Sequence, residues 1–102
     1  MKMYLDTSTN IVKLKLNDQM YEKDLGHDMA EKLLDFIHEK LQENGADWQD
    51  ISEIKFMKGP GSFTGLRIGA SIVNTLIHEL NLNQPLVKIN YGHPPNRTSP
   101  IK

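Results

Sequence analysis

The sequence predicts an α/β fold with the element order β-β-β-α-β-α-β. Three observations support this prediction. Short apolar runs with period-two alternation occupy the first 24 residues, two later segments have helical spacing, and a glycine-rich loop separates a strand from a helix. Strands joined by helices run parallel, whereas the first three are joined by tight turns, so we expect a mixed five-stranded sheet with two main helices.

The first 24 residues predict an antiparallel meander. Residues 2–6 form a short apolar run that ends in a polar turn. Residues 11–16 alternate apolar and charged side chains in their second half, which is typical of a half-exposed strand. Residues 19–24 follow a second turn and are predicted to form the third strand.

The first helix is predicted over residues 28–44, where there is no Gly or Pro and apolar residues recur at helical spacing. Asp28 is the predicted N-cap, with Glu31 as its capping-box partner. Gly45 stands where a helix end favours a residue at positive φ. Residues 53–57 are predicted to form the fourth strand.

The second helix is predicted over residues 65–80, after the glycine-rich loop at 59–65, with Ser62 or Thr64 as its cap. Residues 85–90 are predicted to form the fifth strand. The last segment, 91–102, contains three prolines and no periodicity, so it is predicted to be an extended tail outside a domain formed by residues 1–90.

Composition excludes several classes of site. The 102 residues carry 12 Lys and Arg against 13 Asp and Glu, a net charge of −1, which argues against a dedicated nucleic-acid binder. The absence of cysteine excludes disulfides and thiolate nucleophiles. The N-terminal apolar stretch is too short for a signal peptide, and no run approaches a membrane span. We therefore expect a cytoplasmic protein with no membrane partner.

The apolar faces of both predicted helices are wide. They cover arcs of about 160° and about 200°, whereas one core-facing stripe needs about 100°. Burial of both helices in one small core remains an alternative, but the surplus is also typical of helices that pack against a partner. The residues predicted at such an interface are Leu33, Ile37, Leu41, Leu66, Gly69, Ile72, Val73 and Leu76.

The glycine-rich loop lies between a strand and a helix, where backbone N–H groups can bind phosphate. Its spacing fails the Walker A pattern, because Leu66 and Arg67 follow Gly65. It also fails the dinucleotide pattern, because Thr64 stands where glycine is needed. The favoured interpretation is structural: the glycines permit a sharp turn and let the helix, at Gly65 and Gly69, approach its neighbour closely.

One uninterrupted stretch of eleven residues is highly specific: Gly59-Pro60-Gly61-Ser62-Phe63-Thr64-Gly65-Leu66-Arg67-Ile68-Gly69. It resembles the signature of the TsaB family, also called YeaZ. Residues 4–9 resemble that family's first strand and its Asp-Thr-Ser turn, and His27 and residues 84–87 also fit. The resemblance covers about residues 2–90.

The resemblance implies a single actin-like, ribonuclease H-like half, the N-terminal one of the two that the family joins. It implies a non-catalytic scaffold in tRNA threonylcarbamoyladenosine modification, working with a TsaD-like catalytic subunit and a TsaE-like ATPase. Pairing with the TsaD-like subunit, or with a second copy, would use the two helices. Transfer RNA would be contacted only indirectly, and no cofactor is expected. A folded fragment without a partner is a further alternative.

The runner-up hypothesis is a minimal nucleotide-binding enzyme that uses Asp6, Thr7, Ser8 and the 59–65 loop. The carboxylate of Asp6 has a competing role, because it can accept hydrogen bonds from the following turn. Ser62 has no obvious general base, so no catalytic residue is assigned.

No metal site is predicted, because His27 and His38 are eleven residues apart and lack helical ligand spacing. The transferase relative TsaD has a His-x-x-x-His motif that binds metal. Only His93 remains at that position here, and the two prolines after it forbid a helix.

Overall fold

The computed structural model describes residues 1–89, which form a four-stranded sheet and two α-helices. Two single turns of 3-10 helix, Gly26–Asp28 and Trp48–Asp50, precede α1 and β4. The elements in chain order are β1 (Lys2–Asp6), β2 (Ile11–Leu16), β3 (Gln19–Asp24), α1 (Met29–Glu43), β4 (Glu53–Phe56) and α2 (Phe63–Glu79).

The sheet is mixed, with the strand order β3-β2-β1-β4. The first three strands form the predicted antiparallel meander, in which Leu5 pairs with Leu14 and Leu14 with Tyr21. β4 returns after α1 and pairs in parallel with β1, placing Phe56 opposite Leu5. β1 is therefore a central strand, as expected when a helix connects two parallel neighbours.

One face of the sheet carries the core. Along β2, the side chains of Val12, Leu14 and Leu16 are buried, while those of the intervening residues are exposed, which is the alternation that one covered face requires. Both helices contribute to this same apolar cluster. The opposite face of the sheet carries exposed side chains, among them Ile11 and Met20.

The fifth strand predicted over residues 85–90 is not found in residues 85–89, the part of it that the structure describes. The Gln84 side chain occupies the free edge of β4, where its amide bonds both the N–H and the C=O of Ile54. Further along, Asn74 on α2 bonds both backbone groups of Val87. Two side-chain amides thus take the hydrogen bonds that a strand ladder would have made. The predicted tail at 91–102 lies outside the described residues.

The helix ends agree with the predictions in two of three cases. Gly45 follows α1 with φ of +68°, and Ser62 caps α2 by accepting a hydrogen bond from the Gly65 N–H at 3.1 Å. The capping box at Asp28 does not form. Asp28 ends a 3-10 turn that runs directly into α1, and its carboxylate lies 3.7 Å from the Lys32 ammonium.

Candidate interface and signature loop

The turn after β1 is organised by Asp6. Its Oδ1 accepts hydrogen bonds from the Ser8 N–H at 2.8 Å and from the Ser8 hydroxyl at 2.6 Å. This is the structural role expected of an aspartate in a tight turn. Burial, and to a smaller degree the Asp6 carboxylate, raise the pKa of the neighbouring Tyr4 phenol.

Thr7 joins this turn to α2. It is fully buried, and its hydroxyl donates a hydrogen bond to the Gly65 carbonyl at 2.7 Å. A Cβ atom at Gly65 would overlap the Thr7 carbonyl, and one at Gly69 would overlap the Thr7 hydroxyl and lie 2.6 Å from a ring carbon of Phe56. The predicted close approach of the helix at Gly65 and Gly69 therefore follows from the absence of side chains there.

The signature loop packs directly on the same turn. The Ser62 N–H donates to the Ser8 carbonyl at 2.7 Å, and a Cβ at Gly61 would lie 2.5 Å from the Ser8 Cβ. The Gly65 N–H is bonded to the Ser62 hydroxyl. Two backbone N–H groups that could have held a phosphate are thus already paired within the chain. These contacts favour the structural interpretation of the loop.

Most residues predicted at the interface lie in the core of this chain. Leu33, Ile37, Leu41, Leu66 and Val73 are at most 1% exposed, Leu76 is 7% exposed, and Gly69 is buried. Ile72 alone of the eight is half-buried. The sheet covers the centre of each wide apolar arc, so a partner can contact only the border of the arc.

The uncovered borders of the two apolar arcs form a groove between α1 and α2. The groove encloses about 380 Å³ and is lined by Ala30 on α1 and by Ile68 and Ile72 on α2, together with Thr64, Arg67 and Ser71. Leu34, one turn along α1 from Ala30, is 45% exposed. The predicted set contained Ile72 but missed Ile68 and Leu34, which the helical arcs alone could have included.

Arg67 lies at the polar rim of this groove. Its guanidinium carbon is 5.5 Å from the centroid of the Phe63 ring, which is a cation–π distance. The ring of Phe63 is half exposed at the start of α2. The groove therefore has an apolar floor and one positive charge at its edge.

The histidines do not form a ligand set in the part of the chain that the structure describes. Within residues 1–89, no group of three or more His, Asp and Glu side chains is placed to hold a metal ion. His38 stacks on Trp48, with ring centroids 5.4 Å apart, and lies 3.1 Å from the Asp47 carboxylate. His93 lies outside the described residues.

Comparison with known proteins places the chain in a family. Residues 23–93 match the family described as tRNA N6-adenosine threonylcarbamoyltransferase, TsaD. The chain belongs to this family. Its relatives include the tRNA threonylcarbamoyladenosine biosynthesis protein TsaB of Buchnera aphidicola, which is 29% identical over 79 residues, 70% of this chain and 35% of that protein.

The resemblance to TsaB is confirmed by a solved structure. YeaZ from Pseudomonas aeruginosa has a TM-score of 0.69 and 30% sequence identity, over 79% of this chain and 40% of that one. A tRNA N6-adenosine threonylcarbamoyltransferase of Christiangramia forsetii is 34% identical over 61 residues, 60% of this chain and 17% of that protein. Relatives thus carry both the TsaB and the transferase names, and the chain spans well under half the length of each.

The described helices also bear on the membrane prediction. Neither α1 nor α2, nor any shorter helix within residues 1–89, is long and apolar enough to cross a bilayer.

Proposed function

We propose that this chain is a non-catalytic scaffold subunit in tRNA threonylcarbamoyladenosine modification. It would pair through the α1–α2 groove with a TsaD-like catalytic subunit or with a second copy of itself, and a TsaE-like ATPase would complete the assembly. The partner would hold most of the tRNA, which suits a chain with a net charge of −1.

The observation that carries the proposal is the apolar border left uncovered between the helices. Ile68 and Ile72 are half-buried although they lie beside the core, and Leu34 stands 45% exposed on the facing helix. Completing the burial of one such side chain contributes at most about 1.5–3 kcal/mol. A partner helix seated in the groove would cover all three together.

The groove also has the layout of a protein interface. Its floor is aliphatic, and Arg67, a residue type enriched at interfaces, lies on the rim beside an aromatic ring. The non-catalytic part of the proposal is supported by the Ser62 hydroxyl, which caps α2 instead of facing a base. Asp6, the other candidate reactive group, is bonded twice to Ser8.

The test replaces Ile72 with Glu, which places a charge in the lining of the groove at a half-buried position. The matched control is Met20→Glu, because Met20 is 51% exposed on the open face of the sheet. Light scattering would measure the oligomer mass of each variant, and a binding assay with the purified TsaD-like protein would measure heterodimer affinity. We expect Ile72→Glu to weaken association at least tenfold, and Met20→Glu to leave it unchanged. If both variants associate as well as the parent chain, the groove is not part of the interface.

The nucleotide-binding alternative is tested separately by calorimetry with ATP and magnesium. The paired N–H groups of Ser62 and Gly65 lead us to expect no micromolar binding. Binding that Asp6→Asn abolishes would favour the enzyme hypothesis over the scaffold.

A further inference from the structure

The edge of β4 that faces away from β1 carries outward-pointing backbone groups. The outward N–H and C=O of Ile54 are bonded by the Gln84 amide at 2.9 and 2.8 Å. Phe56 stands two residues further along the strand, so its N–H and C=O face the same edge. Within residues 1–89, no hydrogen bond is found to these two groups. The edge therefore offers one donor and one acceptor side by side.

A cleft of about 550 Å³ opens beside this edge. Its volume lies in the range of small-ligand pockets. Its walls include the Tyr4 ring and the aliphatic side chain of Leu86, which is 58% exposed. Lys55 and Lys58 also line it, and no Asp or Glu is found among its described lining residues. The described lining of the cleft is thus apolar and aromatic and contains two lysines, and the Asp6 carboxylate acts on the Tyr4 phenol from nearby.

The strand register extends this positive charge across the open face of the sheet. Tyr4 pairs with Lys55 on one side and with Lys15 on the other, so both of its cross-strand neighbours are lysines. In the neighbouring rows each lysine has acidic cross-strand neighbours: Lys2 pairs with Glu53, and Lys13 pairs with Asp6 and Glu22. Among the rows whose side chains lie on the open face, the row through Tyr4 contains Lys55, Lys15 and Met20 and no acidic residue.

We propose that this cleft binds one nucleotide of a single-stranded RNA segment. The base would stack on Tyr4 and Leu86, its polar edge would meet the N–H and C=O of Phe56, and the flanking phosphates would lie at Lys55 and Lys58. Proteins hold single strands by combining positive charge along the phosphate backbone with aromatic rings on which the bases stack. The proposal goes beyond the scaffold function and does not depend on it.

The Tyr4 ring and the two lysines together favour a nucleic acid over other anionic ligands. An acidic peptide would use the lysines but not the ring of Tyr4. A double helix hides its base faces, so it cannot stack on Tyr4 either. A free mononucleotide shares the base and one phosphate, and the experiment below separates it from a strand.

The test is a fluorescence anisotropy titration of the full chain with a labelled single-stranded oligoadenylate, between about 50 and about 200 mM salt. Two phosphate contacts predict a slope of log affinity against log salt of about −1.4, at about −0.7 for each contact on a single strand. Lys55→Gln should reduce the magnitude of that slope by about 0.7. The matched control is Lys32→Gln on α1, which should leave it unchanged.

A second pair of variants tests stacking. Tyr4→Ala should weaken binding by roughly 5-fold to 160-fold, whereas Tyr4→Phe keeps the ring and should bind like the parent chain. Circular dichroism establishes whether Tyr4→Ala folds. If it does not fold, the comparison of Lys55→Gln with Lys32→Gln tests the proposal.

Three results would overturn the proposal. The first is no binding at a protein concentration of about 100 µM, the weak limit of non-specific binding. The second is an equal loss of affinity in Lys55→Gln and Lys32→Gln. The third is displacement of the oligonucleotide by polyglutamate or by adenosine monophosphate as effectively as by unlabelled strand, which would replace the strand with a simpler anion.

Discussion

Substituting Gly69 with Ala tests the contact between α2 and the end of β1. In an exposed helix this change raises stability by about 0.5–1 kcal/mol, because alanine loses less backbone entropy than glycine on folding. Here the new methyl group would overlap the hydroxyl of Thr7 and lie 2.6 Å from a Phe56 ring carbon. The helix would therefore have to move away from the sheet, and we expect the sign of the effect to reverse.

The size of the loss follows from two contributions. Overpacking a well-filled core costs about 1–3 kcal/mol. Displacing α2 also lengthens the 2.7 Å hydrogen bond from Thr7 to the Gly65 carbonyl, whose loss costs about 1 kcal/mol. After the helix-propensity gain of alanine is subtracted, the net loss is about 1–3 kcal/mol. For a chain of this length, each kcal/mol corresponds to a fall in Tm of about 4–8 °C.

Urea unfolding followed by circular dichroism measures this loss. Ser71→Ala is the control, because Ser71 is exposed on α2 and the change should be neutral or slightly stabilising. In a Thr7→Ala background the overlap with the hydroxyl disappears, so Gly69→Ala should cost at least about 0.5 kcal/mol less than in the parent. A Gly69→Ala chain that unfolds at the same or a higher urea concentration than the parent would refute the close-contact argument.

Two further predictions concern the β4 edge and the tyrosine beside it. Gln84→Ala removes both hydrogen bonds to Ile54 at a solvent-accessible edge, so we expect a loss of about 1–2 kcal/mol in urea unfolding, with the exposed neighbour Asn83→Ala near neutral. The raised pKa of Tyr4 means that the folded state holds the phenol proton more tightly than the unfolded chain does. This contribution is complete below pH 10 and is lost as the pH rises through the folded pKa; Tyr4→Phe should abolish that part of the pH dependence, and a parent and variant with identical alkaline profiles would contradict it.

The strands and helices that formed as predicted are those whose pattern is local. Period-two alternation along β2 requires only that one face be covered, and it is independent of what covers it. The Ser62 cap and the positive φ of Gly45 likewise depend on a few adjacent residues. The closeness of Gly69 to β1 was also predictable, because glycine on the buried side of a helix implies a near neighbour.

The predictions that differ from the structure concern hydrogen bonds and contacts made by residues from other parts of the sequence. Residues 85–89 have strand-like composition, but the amides of Gln84 and Asn74 bond the groups that a ladder would use. Helical wheels measured the width of the apolar arcs and could not say which part the sheet covers. Val73 at the centre is buried and Ile72 at the border is not. The cleft beside Tyr4 depends on register between strands, which a single sequence does not specify.

The backbone contact between α2 and the β1 turn has a consequence for any molecule that binds the helices. Long side chains between a helix and a sheet act as a compliant layer, whereas Gly65 and Gly69 place the α2 backbone directly against Thr7. This direct backbone contact limits movement of α2 relative to the sheet. In the proposed complex, a partner would meet an α2 backbone that is already held in place, so less ordering entropy would be lost on association. The close contact at Gly65 and Gly69 would therefore raise the affinity of the proposed partner for the outer surface of α2.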